Sequence, residues 1–301
     1  MSSLGLYIAA VLIWGSTWIA ITFQLGKVPP EVSVAYRFAL ASLILLVWCA
    51  VRRLCLTFSW RDHLWMGLQG SLLFGLNYVC VYLAESQITS GLVAVIFSLM
   101  VFLNIIGTRL FFATPLSPIA LIGATLGVGG VALVFMPELS HASETGNPRL
   151  GLAFALIATL SASLGNMAAA RNYGRGLPVV QLNTFGMFYG ALFVALYALA
   201  TGQPFLFDWS ASYLLSLLYL ALFGSVLAFG AYLTLMSRIG ADRAGYTTVA
   251  IPIVALFIST AFEGLRWQIY TVLGIVLCVM GNVLVLRRRN VKPAAQEVRM
   301  R

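Results

Sequence analysis

Three residues near the start of the chain have the types and spacing to hold a small molecule without bonding to it. Trp14, Thr17 and Trp18 stand at i, i+3 and i+4, on one face of a helix. Two indoles on one face can clamp a ring, an aliphatic body or a cation, and the hydroxyl between them gives a directed hydrogen bond. Asn77, Tyr78 and Tyr82 repeat the arrangement on a later face. Asn104 and Asn166 add amides within apolar runs, and Tyr232, Tyr246 and Thr248 add hydroxyls. Polar side chains in such runs face protein or a water-filled cavity. Each has a plain alternative: aromatic packing for the tryptophans, interhelical hydrogen bonding for the amides. Read as a site, they replace the hydration of a bound solute and do no covalent chemistry.

Reactive groups lie elsewhere. The nine carboxylates, Glu31, Asp62, Glu85, Glu138, Glu144, Asp208, Asp242, Glu263 and Glu297, all fall in loops or at the ends of apolar runs. No carboxylate is expected at a membrane centre, where a proton-coupling acid normally lies. His63 and His141 sit in separate polar segments, and Cys49, Cys55, Cys80 and Cys278 have neither metal nor redox spacing. The sequence therefore predicts no metal, no cofactor and no catalytic residue. A membrane enzyme would need a nucleophile or paired carboxylates, a channel a ring of like groups or a filter loop, and an ATP-driven pump a G-x-x-x-x-G-K-[ST] loop. The sequence contains none of these patterns.

Three residues suit control of access. Arg37 lies inside an apolar run, where it could bind a carboxylate or pair with Glu31 or Glu85. Pro252 gives no N–H to the carbonyl of Thr248, one turn earlier, and can bend a helix there. Glu263 closes the same run.

The elements that must position these residues follow from composition. The chain is 61% hydrophobic and 9% charged over 301 residues, against about 25% charged for a soluble domain. Its apolar stretches recur at the length that crosses a hydrocarbon core, about 20 residues. The sequence thus predicts an all-α polytopic membrane protein with ten spans, near 4–24, 32–51, 64–84, 91–112, 117–136, 150–170, 181–201, 212–236, 244–262 and 268–286. The net charge of +9 is not read as a nucleic-acid surface, because the basic residues fall in short loops between spans. Of the 18 Lys and Arg, 14 fall in the loops after even-numbered spans and in the tail. Lys27, Arg149 and Arg266 lie on the other side, with Arg37 just inside span two. The positive-inside rule then places both termini in the cytoplasm.

A long-period repeat organises the spans. Tyr82–Phe111 and Tyr232–Glu263 share a Tyr-Leu start, a short turn of small residues and an apolar helix, and Gly123 and Gly130 stand to Gly274 and Gly281. Residues 1–137 and 150–289 read as two five-helix repeats, joined by a hydrophilic periplasmic loop at 138–149 and followed by a cytoplasmic tail at 290–301. Five spans return the chain on the opposite face, so the repeats have inverted topology, an architecture of carriers with alternating access.

WGSTW at Trp14–Trp18, Arg37 at the start of span two, AIPIV at Ala250–Val254, FEGL at Phe262–Leu265 and the paired glycine spacings resemble the EamA family of the drug/metabolite transporter superfamily over residues 3–289. The resemblance implies a ten-helix inner-membrane carrier, often an exporter of amino acids or other small metabolites. It also implies a central cavity lined mainly by spans one, three, four, six, eight and nine. An importer or a multidrug exporter of the same superfamily is the alternative. The implied partners are a small-molecule solute and the lipid bilayer, and a homodimer is left open. Small four-helix exporters of that superfamily use a Glu in the first helix. The first span here has no acidic residue, so the gradient of the solute itself is expected to drive transport. In the first repeat Met100 stands where Pro252 stands in the second, which puts a helix break in the first repeat in doubt.

The orientation can be checked directly. A reporter active only in the periplasm should be active when fused after Glu144 and silent when fused after Arg288. The opposite result would reverse the assignment.

Overall fold

Backbone N–H and C=O groups in hydrocarbon must be satisfied within the chain, and helices do this segment by segment. The computed structural model describes residues 1–113, 115–140, 146–239, 247–265 and 267–287, and all of their regular secondary structure is helical. In order the helices are α1 (Ser3–Thr22), α2 (Pro30–Val51), α3 (Trp60–Glu85), α4 (Ser90–Phe112) and α5 (Pro118–Ser140), then α6 (Pro148–Gly174) and α7 (Val179–Ala200). Helix α8 comprises Ala211–Leu218, the π-helical stretch Tyr219–Leu227 and Ala228–Ile239. Helices α9 (Thr247–Phe262) and α10 (Ile269–Arg287) follow. Among the described residues, eight helices are long and apolar enough to cross a membrane, and α9 and α10 are shorter apolar helices. Tyr246 and the tail 288–301 lie outside the described residues.

Helix ends fall within about one turn of the boundaries read from hydropathy, and local capping explains the differences. Ser59 accepts from the N–H of Asp62 and starts α3 ahead of its apolar run. Asn147 accepts from the N–H groups of Arg149 and Leu150, with Pro148 at the first helical position of α6. Ser210 accepts from the Tyr213 N–H to start α8. Helix α5 continues past Pro137 to Ser140, into the segment read as the connecting loop.

The helices alternate in direction. One end of the bundle gathers Met1, Arg52, Arg53, Arg61, Arg171, Arg175 and Arg238, and there Arg238 donates to the Met1 carbonyl at 2.7 Å. At the other end Lys27 pairs with Asp208 at 3.4 Å. These are called here the Arg-rich and Arg-poor ends.

Two long helix pairs frame the bundle, α5 with α10 and α2 with α7, while α1 packs against both α8 and α9. The α5–α10 contact is backbone on backbone. A Cβ on Gly130 would meet the Gly274 carbonyl oxygen, and one on Gly123 the Gly281 carbonyl oxygen. Hydrocarbon gives no hydrophobic drive for association, so small residues that let backbones approach supply it through close packing.

Irregularity is confined to particular places. Helices α3 and α8 carry π-helical stretches at matching positions, Ser71–Leu76 and Tyr219–Leu227. Helix α4 is interrupted at Ser98–Leu99, where N–H groups bond three residues back: Leu99 to Ile96 at 3.0 Å and Phe102 to Leu99 at 3.0 Å. The Ser98 hydroxyl takes the Val95 carbonyl at 2.6 Å. Helix α9 runs through Pro252 without interruption. Helix α4 thus has the break that the absence of a proline at Met100 put in doubt. A serine returning its hydroxyl to the preceding turn competes with the helical ladder and bends it.

The glycine interface can be tested against its own control. Gly130→Val should lower stability in detergent by about 1–3 kcal/mol, the cost of overpacking. Gly129→Ala, with open space around its Cα, should be neutral or stabilising by up to about 1 kcal/mol. Thermal unfolding of both variants checks this.

Candidate functional site

The residues singled out by type and spacing fall into two connected groups. In the first, Trp14 of α1 donates its indole N–H to the Gly224 carbonyl in the π-helical part of α8 at 3.1 Å. The π-helical register leaves that carbonyl free of the ordinary i+4 partner and able to accept. The Trp14 ring packs edge-on to Phe229 at 5.1 Å and tilts against Tyr232 at 5.4 Å. Thr17 is buried, its hydroxyl on the Trp14 carbonyl at 2.7 Å and its methyl group against Gly224. Trp18 meets Phe97, beside the interruption of α4, at 5.4 Å. Trp14, Trp18 and Tyr232 are half-buried, so this aromatic wall keeps accessible surface.

Gly224 joins this wall to Arg37. A Cβ on Gly224 would stand 3.4 Å from Nη2 of Arg37 and 2.8 Å from the Thr17 methyl, so only glycine leaves room for both. Arg37 is 1% exposed. Its guanidinium lies over the ring of Tyr78 at 4.5 Å and of Phe38 at 5.2 Å. Among the described residues, its Nε and Nη1 have no hydrogen-bond partner. The described ion pairs are Lys27–Asp208 and Arg175–Asp62, so the expected pairing of Arg37 with Glu31 or Glu85 is not present as a direct contact. Cation–π contact contributes about 2 kcal/mol when desolvated, less than the several kcal/mol lost on burying an ion. The site therefore holds a fixed positive charge that its own neighbours do not fully satisfy.

The second group closes the Arg-poor end. Tyr82, completely buried, donates to Oε1 of Gln24 at 2.5 Å, and among the described residues Nε2 of Gln24 has no partner. Glu263, after the last residue of α9, takes the first N–H of α4 with both oxygens, Ser90 N to Oε1 at 3.0 Å and to Oε2 at 3.2 Å, and accepts the Ser90 hydroxyl as well. A carboxylate on a helix N-terminus is held by charge-assisted bonds and by the helix dipole. This clasp ties the second half of the chain to the first. Glu85 ends α3 yet is 7% exposed, and among the described residues neither carboxyl oxygen has a hydrogen-bond partner. Glu85 lies at a span end, as its position in the sequence implies, but it is buried there because α6, α2, α1 and α4 pack around the end of α3. Out in the loop, Asp208 is held below the usual carboxylate range by the Ser210 N–H, its hydroxyl and Lys27.

The remaining candidates are more dispersed. Asn77 donates to the Leu73 carbonyl at 2.9 Å, its Oδ1 buried without a partner, as is Oδ1 of Asn104. Asn166 of α6 donates to the Met100 thioether at 3.4 Å. Thr248 lies in the first turn of α9. Ser98 and Pro252, the interruption of α4 and the proline of α9, line one narrow crevice of about 10 Å³ with Asn282 of α10. Among the described residues no group of three or more His, Cys, Asp or Glu could hold a metal ion.

Gly224, Gln24 and Ser90 were not read from the sequence as site residues. Gly224 carries one signal, since it follows a Phe just as Gly75 does in α3. Gln24 and Ser90 carry none.

The profile of the EamA-like transporter family matches residues 1–136 and 149–287. The chain is 27% identical to the uncharacterized inner membrane transporter YedA of Escherichia coli K12, over 97% of this chain and 95% of that protein. It is 24% identical to protein PagO of Salmonella typhimurium, over 95% and 93% respectively. The uncharacterized transporter YoaV of Bacillus subtilis is 22% identical over 94% of this chain and 97% of its own length. A solved crystal structure superposes on 96% of this chain and 99% of its own with a TM-score of 0.67 at 17% identity, a likeness of fold.

The clasp between halves has a measurable strength. Glu263→Ala should cost about 1–2 kcal/mol of thermal stability in detergent, the range for loss of a helix cap. Ser90→Ala, which keeps the backbone bonds, should cost less. Equal losses in the two variants would place the stabilisation in the hydroxyl alone.

Proposed function

This chain belongs to the EamA-like transporter family, and on that premise we propose that it is a secondary transporter that moves a small metabolite across the inner membrane by alternating access. The favoured solute is an amino acid or a related compound, and the favoured direction is export. Arg37 is the observation that carries this reading: a buried guanidinium with two unpartnered nitrogens beside a half-buried aromatic wall. A guanidinium takes a carboxylate through paired hydrogen bonds. Trp14, Trp18 and Tyr232 would accept the apolar body, as binding pockets do with few polar groups in an apolar lining. Arg37 then acts on the solute as well as at the gate.

In this proposal the ten helices are two five-helix repeats of inverted topology. The matching π-helical stretches of α3 and α8 and the cross-repeat pairs α2–α7 and α5–α10 support it. The Arg-rich end is cytoplasmic by the positive-inside rule. The sealed Arg-poor end then faces the periplasm, and the described form is closed on that side. Access changes when the Glu263–Ser90 clasp parts and the end of α9 leaves the start of α4. The interruption at Ser98–Leu99 and the backbone hydrogen bond that Pro252 cannot make are the weak points that let this happen.

Purified protein in liposomes should carry a carboxylate-bearing metabolite saturably and without nucleotide. Trp14→Ala and Arg37→Gln should each weaken binding by roughly 5- to 150-fold, the equivalent of about 1–3 kcal/mol for a buried interaction. Ser90→Ala, which touches only the seal, should leave affinity nearly unchanged. Flux that rises in proportion to concentration without limit would instead describe a channel.

A further inference from the structure

The end of α3 presents an unusual charge problem. Glu85 is buried, and among the described residues its oxygens receive no hydrogen bond. The charged and titratable groups around it come from three elements. Arg37 of α2 and Glu263 after α9 act on its charge without direct contact, and Tyr82 stands one turn before it on α3. From α1 comes the neutral Gln24, from α4 the hydroxyls of Thr89 and Ser90, and Arg149 of α6 is exposed away from the cluster. Glu263 is half-buried and receives three donor contacts from Ser90. An ionised Glu85 would be a buried negative charge with no donor among the described residues to receive it. A buried ion without partners is far costlier than a neutral carboxyl group lacking one hydrogen bond.

Access to the group is one-sided. Ser86, the next residue, is exposed at the Arg-poor end. Toward the middle of the bundle, Tyr82 and then Arg37 with Tyr78 lie in the way, and Tyr82 and Arg37 are at most 1% exposed. When the Arg-poor end opens, water reaches Glu85 and stabilises the carboxylate. When it seals, that water leaves.

We infer that Glu85 is a proton-binding site reached from the Arg-poor side alone, and that the sealed form of the bundle carries its proton while the opened form releases it. The site rests on the alternating-access reading only in requiring that this end can open. Proton uptake and release occur on the same side, so the proton sets how often the gate opens and does not drive the solute. Acid on that side holds the gate shut, and alkali favours the open form. One proton released per opening changes the open-to-sealed ratio by at most about tenfold per pH unit.

Two measurements on the full-length protein in lipid nanodiscs test this, both without solute. The first is the infrared spectrum of the wild type at neutral pH. It should contain a protonated-carboxyl band that is lost in Glu85→Gln and kept in Glu263→Gln. Absence of that band in the wild type would overturn the proposal, and this result needs no variant to fold. The second uses spin labels at Ser86→Cys and Phe262→Cys, both exposed positions flanking the seal, with Cys55→Ser to remove the exposed native thiol. The population at long label separation should grow as pH rises above the ordinary carboxylate range, by at most about tenfold per unit, and the growth should vanish in Glu85→Gln. A wild-type profile that is flat, or a slope that survives in Glu85→Gln, would refute the site. A chain that carries no solute would still give both expected results, whereas a working carrier with a flat profile loses the proton site alone.

Discussion

A guanidinium stays charged under all relevant conditions, so burying Arg37 decides what the Arg-poor half of the bundle must contain. Its charge is spread over the rings of Tyr78 and Phe38 and faces Gly224, where any side chain would displace either the guanidinium or Thr17. The clasp of Glu263 on α4 brings a carboxyl group from the other half of the chain to the same end of the bundle. Gln24, Tyr82 and Glu85 fill the space between, with several polar atoms left unmatched. Such a cluster is poor at adding stability, because desolvation offsets most of what the charges gain from one another. It is suited to being closed in one arrangement and hydrated in another.

The rest of the fold divides according to what kind of contact each helix makes. Helices α5 and α10 meet glycine to glycine, with carbonyl oxygens where side chains would otherwise stand. Contacts of that sort tolerate little sliding, since a shift of one residue puts a side chain against backbone. The α1, α4, α8 and α9 set meets through aromatic rings, hydroxyls and the crevice at Ser98 and Pro252. These helices also hold the interrupted and π-helical backbone, apart from the matching stretch in α3. Strained or irregular ladder and adaptable side-chain contact coincide, while regular ladder and rigid contact coincide at the periphery. A carrier that rocks one part against another needs that division.

Much of this was legible in the sequence, for identifiable reasons. Hydrocarbon forces long apolar helices, so composition and run length give the helices and their approximate ends. The Trp14, Thr17, Trp18 spacing is a property of one helix and survives folding intact. The glycines of α5 and α10 mark close packing wherever they fall. What could not be read were relations between helices. The sequence shows Glu85 at a span end but not whether it is exposed there, since its burial depends on other helices packing around it. The Ser90–Glu263 clasp joins residues 173 apart in the chain, and neither residue type announces the other. The interruption of α4 was hidden because a serine, unlike a proline, bends a helix only when its hydroxyl turns back to the carbonyl of Val95. Arg37 gave its presence away, yet its lack of an ion pair is a three-dimensional fact.

Arg37 also links the proposed solute site to the seal, since the same guanidinium faces Gly224 on one side and acts on Glu85 on the other. A carboxylate bound to Arg37 brings a negative charge into the cluster and uses the positive charge that would otherwise favour an ionised Glu85. Binding such a solute therefore strengthens the hold of Glu85 on its proton, and by linkage a protonated Glu85 strengthens the hold of Arg37 on the solute. The two equilibria cannot be tuned separately while they share one guanidinium. Replacing Arg37 with a neutral residue would not simply weaken solute binding. It would remove the positive charge that acts on Glu85 and so alter the balance between sealed and open forms at the same time.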